Sequence, residues 1–204
     1  MTDFTLQQIV LRFCALLLIV GVHGAVVAGA ANALGDPGPR YDGRLSVNPL
    51  AHLDLLGLVS GVLFSVGWIK PVAIDPGKLY LGHRAVIPII VVVSIAAILA
   101  IAFVLRLARP VLLPLLGDTS SMLAFALIET IGQLGVWFAL INLLPVPPLT
   151  GGHLLTALFP QIGDTMHKSY IYAALLLTGL AATGVITSVL APVKRIFARL
   201  VLGE

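Results

Sequence analysis

The stretch "INLLPVPPLTGG", residues 141–152, breaks a long apolar run with Pro145, Pro147 and Pro148, and the run resumes only after Gly151 and Gly152. Proline lacks a backbone N–H and its ring clashes with the preceding turn, so a helix arriving through 122–144 cannot pass this segment intact. The setting makes the break unusual. Of the 204 residues, 59% are hydrophobic and only 10% are charged, with a mean hydropathy of +1.07, whereas a soluble domain carries roughly 25% charged residues. Too little polar surface is present to cover a globule in water, and the chain reads as an integral membrane protein. The questions are why a membrane-like helix is broken there, and what Thr150 does at the break.

Five stretches are long and apolar enough to cross a bilayer at about 20 residues per crossing: 9–31, 53–69, 86–108, 122–144 and 170–191. The second is the shortest and carries Gly57, Gly61 and Gly67. "GGHLLTALFP", residues 151–160, adds a piece the length of a half-helix. Backbone polar groups in hydrocarbon must be satisfied within the segment, so helices are expected throughout. The expected fold is an all-α polytopic membrane protein of five to six transmembrane helices with a Pro-broken segment, forming one membrane domain over residues 1–204. "AGAANA" offers small residues for signal cleavage, but the run before it is long enough to span and is expected to be retained.

The connections carry the polar residues. Residues 35–54 form a Pro- and Gly-rich loop, and residues 68–78 form another, with Trp68 expected at the interface. Five crossings put the 35–54 loop, the 106–121 loop and the C-terminus on one side, with seven Lys and Arg against five opposite. That bias places the C-terminus in the cytoplasm. The tail "PVKRIFARLVLGE" mixes basic and apolar residues and suits an interfacial helix. A net charge of +3 is too small to point to nucleic acid and fits contact with anionic lipid headgroups. Cys14 is the single cysteine, so no intrachain disulfide forms, and it is expected to pack.

Ionisable groups at membrane depth are costly and therefore candidates for function. His23 lies near the end of the first span among Gly21, Gly24, Ala25, Ala28 and Gly29, small residues that admit a close neighbour. Its two readings are a metal ligand or proton carrier, and a neutral imidazole bonded to an adjacent helix. Glu129 and Gln133 share one face of the fourth span; Glu129 serves ion or proton movement, or pairs in its protonated form with Gln133 or His23, or sits near the bilayer surface. A zinc site needs three or four convergent ligands. No His-Glu-x-x-His is present, His52 and Asp54 are two apart in a loop, and His83, His153 and His167 are scattered. Spacing alone yields no metal site and no nucleophile–base pair.

Three fragments in order, "LGDPGPRYDGRLSVNPLAHLDLLG", "GWIKPVAIDP" and "NLLPVPPLTGGHLL", resemble the site-2 protease family of zinc intramembrane metallopeptidases, in its compact bacterial branch. The resemblance runs from about Val22 to Leu155. It implies His-Glu-x-x-His on the first core helix, and a later Asn-x-x-Pro-x-Pro-x-x-Asp-Gly-Gly-like segment whose Asp is the third zinc ligand. It also implies that the prolines unwind a helix at membrane depth, where irregular backbone must be buried in protein or line a cavity. His23 matches the first ligand. Gly24 stands at the general base, Val27 at the second ligand and Thr150 at the Asp. Val93, Ser94 and Ala97 stand where the family tends to have Gly-Pro-x-x-Asn. Asn48, Pro49, His52, Asn142, Pro145, Pro147, Pro148, Gly151 and Gly152 match as loop-shaping residues. What the resemblance implies is a retained scaffold with a lost metal centre: no catalytic residues and no cofactor. Such a chain acts through lipid-embedded contacts with other transmembrane proteins, as an accessory or scaffolding subunit or a binder of transmembrane clients. The alternative is an active zinc protease with non-standard ligands, in which His23 and His153 meet and Asp54 or Glu129 completes the set.

Overall fold

The computed structural model describes residues 5–163 and 168–203. Its frame is three long helices, α1 (Leu6–Ala33), α4 (His83–Leu112) and α5 (Asp118–Asn142), each packed against the other two. Helix α1 opens with a capping box: Thr5 Oγ1 accepts from the Gln8 N–H at 3.2 Å, and Gln8 Oε1 accepts from the Thr5 N–H at 3.3 Å. The core between the three helices is built from Ala15, Leu16, Ile19, Val27, Ile87, Ile90, Ile98, Leu134 and Phe138. These helices are long and apolar enough to cross a membrane. The all-α membrane fold expected from the sequence is the fold observed.

Shorter elements complete the chain: α2 (Gly38–Tyr41), α3 (Leu55–Phe64), α6 (His153–Leu158), α7 (Tyr170–Ala182) and α8 (Val185–Leu202). Helices α7 and α8 meet at 74° across Gly184, whose φ is +72°. The fifth expected span is therefore a bent pair, and its basic half, α8, lies against α4 and α5 through Ala198 and Leu202.

The second expected span, 53–69, is corrected. Helix α3 has only 10 residues, about 15 Å at 1.5 Å per residue, half of what a crossing needs. It starts at Asp54, whose carboxylate caps the Gly57 N–H at 2.8 Å, and stops at Ser65, which takes a left-handed φ of 62°. The chain then doubles back along it. Leu53 pairs with Ile69, and the Lys70 N–H donates to His52 O at 2.8 Å. Hydropathy reads this hairpin as a span because both of its limbs are apolar. Trp68, expected at the interface, is fully buried inside it, and Cys14, expected to pack, lies on the exposed face of α1.

A re-entrant hairpin returns to the end it left, so the 35–54 and 68–82 loops lie at one end of the bundle. The Tyr80 N–H donating to Leu34 O at 3.0 Å ties them together. The count of basic residues assumed alternation across five crossings. The cytoplasmic assignment of the C-terminus rests on that alternation.

Candidate functional site

The site lies where α1, α4, α5 and the unwound segment after α5 converge. His23 is fully buried on α1, with its ring edge-on to Phe138 of α5 at 5.1 Å and 77°. Nδ1 faces the carbonyl of Ser94 on α4 at 3.3 Å, and Nε2 faces Thr150 Oγ1 at 2.8 Å. A carbonyl accepts and cannot donate, so Nδ1 carries the proton and Nε2 presents its lone pair to the Thr150 hydroxyl. This is how a histidine is held to ligate a metal: one ring nitrogen anchored on a backbone carbonyl, the other aimed inward. Here the inward nitrogen meets a hydroxyl.

Thr150 owes its position to Asn142, the last residue of α5. The fully buried Asn142 amide donates from Nδ2 to Phe138 O and to Gly67 O, both at 2.9 Å, and its Oδ1 accepts the Thr150 N–H at 3.3 Å. Thr150 has one hydroxyl proton for two acceptors, and Nε2 at 2.8 Å is nearer than Asn142 Oδ1 at 3.4 Å. Pro145, Pro147 and Pro148 hold the chain out of helical register, with a cis peptide between Pro147 and Pro148. The chain then folds back so closely that a side chain at Gly151 would overlap the carbonyls of Leu143 and Leu144. The break thus turns the chain inward and delivers Thr150 to His23. Gly152 lies beside Pro147 in the same turn, and His153, the first residue of α6, does not reach His23's ring nitrogens.

Gly24 has an equally specific neighbour. The loop before α3 lies flat along α1, with Val47 O over Gly21 and the His52 ring over Gly24. A Cβ at position 24 would overlap His52 Cβ, Cγ and Nδ1. The imidazole therefore fills the space into which a glutamate at this position would project. The loop is shaped locally. Asn48 Oδ1 accepts the Leu50 N–H at 3.0 Å, opening the turn Pro49–Ala51, and His52 Nε2 donates to Ser46 O at 2.7 Å. Arg44 clamps it from below, donating to Ala51 O, Lys70 O and Pro71 O. Burial holds the His52 imidazole below the usual histidine range; the Ser46 carbonyl partly opposes this, and the Arg44 charge adds to it. Neutral His52 keeps Nδ1 unprotonated and buried without a protein partner. Val27 is fully buried in the apolar core beneath.

These residues do not fit a zinc ion. Zinc takes three or four N, S or O donors, and among the described residues no group of three or more His, Cys, Asp and Glu side chains converges. His23 Nε2 is engaged by Thr150, Val27 has no donor atom, and Gly24 has no side chain. The substitutes do not gather either. Asp54 caps α3 and accepts from the Tyr170 hydroxyl, Glu129 pairs elsewhere, and His167 lies outside the described residues.

Residues 49–185 match the family model of Peptidase family M50. The chain belongs to this family. The match begins beyond His23, Gly24 and Val27, so it rests on the loop, hairpin and broken-helix scaffold. M50 membership also accounts for the integral membrane character read from composition. The chain is 28% identical over 154 residues to a Bacillus subtilis (strain 168) protein described as "Putative zinc metalloprotease YwhC", covering 72% of this chain and 69% of that one. No solved structure matches.

Glu129 and Gln133 lie apart from this centre. Glu129 Oε2 accepts from Arg109 Nη2 at 2.7 Å and Oε1 accepts from Gln133 Nε2 at 3.1 Å, so the expected Glu129–Gln133 contact exists and the one with His23 does not. Lys194 of α8 donates to Gln133 Oε1. Sequence reasoning missed Arg109, Lys194 and the carbonyl of Ser94 as partners, and a backbone acceptor 71 positions from His23 leaves no sequence signal.

Proposed function

We propose that this chain is a pseudoprotease of the M50 family. It keeps the broken-helix scaffold, has no catalytic metal and acts by binding transmembrane segments of other proteins, as an accessory subunit or client holder in a bacterial cytoplasmic membrane. The observation that carries this reading is the 2.8 Å contact between His23 Nε2 and Thr150 Oγ1. It joins the first-ligand and third-ligand positions of the family pattern directly, where a zinc ion would have to come between them.

Two further features support it. Metal-assisted peptide hydrolysis needs an acceptor for the proton of the attacking water, and the glutamate position is a glycine overlain by His52. Binding without cleavage needs only a surface at membrane depth, which three apolar helices with small loops supply. The test is reconstitution with a panel of transmembrane peptides carrying crosslinkers. The reading expects crosslinked adducts at full peptide length, with or without chelator. Chelator-sensitive, zinc-restored cleavage would replace it with the active metalloprotease.

A further inference from the structure

Charged side chains from four helices gather in one layer of the bundle. Arg109 of α4 pairs with Glu129 of α5 at 2.7 Å, and Lys194 of α8 donates to Gln133 one turn further along α5. Arg12 of α1 lines the same cleft as Glu129 and Gln133, and Arg106 of α4 donates to Val201 O near the end of α8 at 3.5 Å. On one side of this layer, residues 13–33 of α1 and 85–105 of α4 carry no Asp, Glu, Lys or Arg, and each stretch is about 32 Å long. That length matches the roughly 30 Å hydrocarbon core of a bilayer. Charge is costly in hydrocarbon and cheap at the headgroups, which places such a layer at a membrane boundary.

Helix α8 runs along the layer rather than across it. Lys194 and Leu202 are about 12 Å apart on α8, yet they meet neighbouring residues of α5: Lys194 donates to Gln133, and Leu202 packs over Gly132. A helix running alongside α5 would meet residues two turns apart. The 74° bend from α7 turns the chain into this direction.

The surface of α8 is divided to suit that position. Ala198 and Leu202 are buried against the bundle. Val185, Val189, Val193, Ile196 and Leu200 form an exposed apolar stripe at helical spacing. Ser188, Arg195 and Arg199 are exposed along the adjoining stripe, and α8 contains no acidic residue. An apolar stripe beside a basic one is the pattern of a helix lying in the headgroup plane, where cations meet anionic lipid.

We propose that α8 is an interfacial helix that docks on anionic lipid, with its valine-rich stripe among the acyl chains and Arg195 and Arg199 on headgroup phosphates. The proposal does not rest on the loss of catalysis, because α8 shares no residue with the His23–Thr150 centre.

The test uses the full-length protein in liposomes of phosphatidylglycerol and phosphatidylcholine, in a Cys14→Ala background. Spin labels are placed one at a time at Ser188→Cys, Val189→Cys and Leu200→Cys, and their collisions with oxygen and with a water-soluble nickel chelate report depth. Val189 and Leu200 are expected at one depth in the acyl region, and Ser188 is expected within reach of the chelate. A depth difference near the roughly 16 Å that separates Val189 from Leu200 along the helix would make α8 a crossing segment and overturn the proposal. So would all three labels in water, or an apolar stripe shielded from both reagents, as beneath a protein partner. Native mass spectrometry in detergent tests the headgroup contact. Phosphatidylglycerol is expected to be retained over phosphatidylcholine, about fivefold less in Arg195→Gln or Arg199→Gln and undiminished in Arg199→Lys. Equal retention of the two lipids by the parent, or a preference that survives both glutamine substitutions together, would overturn the role of the arginines.

Discussion

Replacing Gly24 by alanine isolates the contact that distinguishes this centre from a proteolytic one. The added methyl group would overlap three atoms of His52, including its Cβ, the least movable part of the side chain. The ring is fixed from the other side by the 2.7 Å bond to Ser46 O, so relief requires the loop to move. Overpacking of this kind costs about 1–3 kcal/mol, against a gain of about 1 kcal/mol for alanine over glycine inside a helix. The net expectation is a destabilisation of roughly 0–2 kcal/mol. In a His52→Gly background, which removes Cβ as well as the ring, the obstacle is gone, and the same substitution should stabilise by up to about 1 kcal/mol. The assay is a double-mutant cycle on unfolding in mixed micelles, where coupled neighbours show interaction energies of roughly 0.5–3 kcal/mol. Gly24→Ala effects equal in both backgrounds would refute the claim that His52 occupies the glutamate space.

Further expectations concern the same scaffold. Thr150→Val removes the hydroxyl donor at constant shape, leaves His23 Nε2 buried without a partner, and should cost about 1–3 kcal/mol; Thr150→Ser should recover most of this in the same unfolding assay. Asn142→Leu cuts the ties to Gly67, Phe138 and Thr150 together and should cost at least about 2 kcal/mol, read as a lower melting temperature in detergent. Acidification should destabilise the protein through His52. Its folded pKa lies below the ordinary 6.5, so below about pH 6.5 the unfolded chain takes up more protons and stability falls; above that pH the contribution is complete. A melting profile flat from pH 7.5 to 5, or the same acid slope in His52→Gln, would count against a buried neutral imidazole.

The sequence foretold the parts of the fold that depend on length and composition, and missed those that depend on what meets what. Helices α1, α4 and α5 were legible because each is an apolar run longer than a crossing. The 53–69 segment had the same hydropathy, yet its glycines and the left-handed Ser65 fold it into a hairpin, and composition does not distinguish one crossing from two half-depth limbs. Thr150 was legible as an anomaly only within the family pattern. Its bond to His23 spans 127 positions, and no periodicity reports such a contact. The overlay of Gly24 by His52 was hidden for the same reason. In sequence the two residues stand apart, one as helix packing and one as turn chemistry, whereas in the fold they form a single complementary pair.

His23 is turned to a hydroxyl where the family pattern has a metal. The most direct measurement is elemental mass spectrometry of the detergent-purified protein, incubated with zinc and desalted, beside His23→Ala. The account predicts metal far below one ion per chain in both samples. Zinc near one per chain in the parent, lost in His23→Ala, would contradict it.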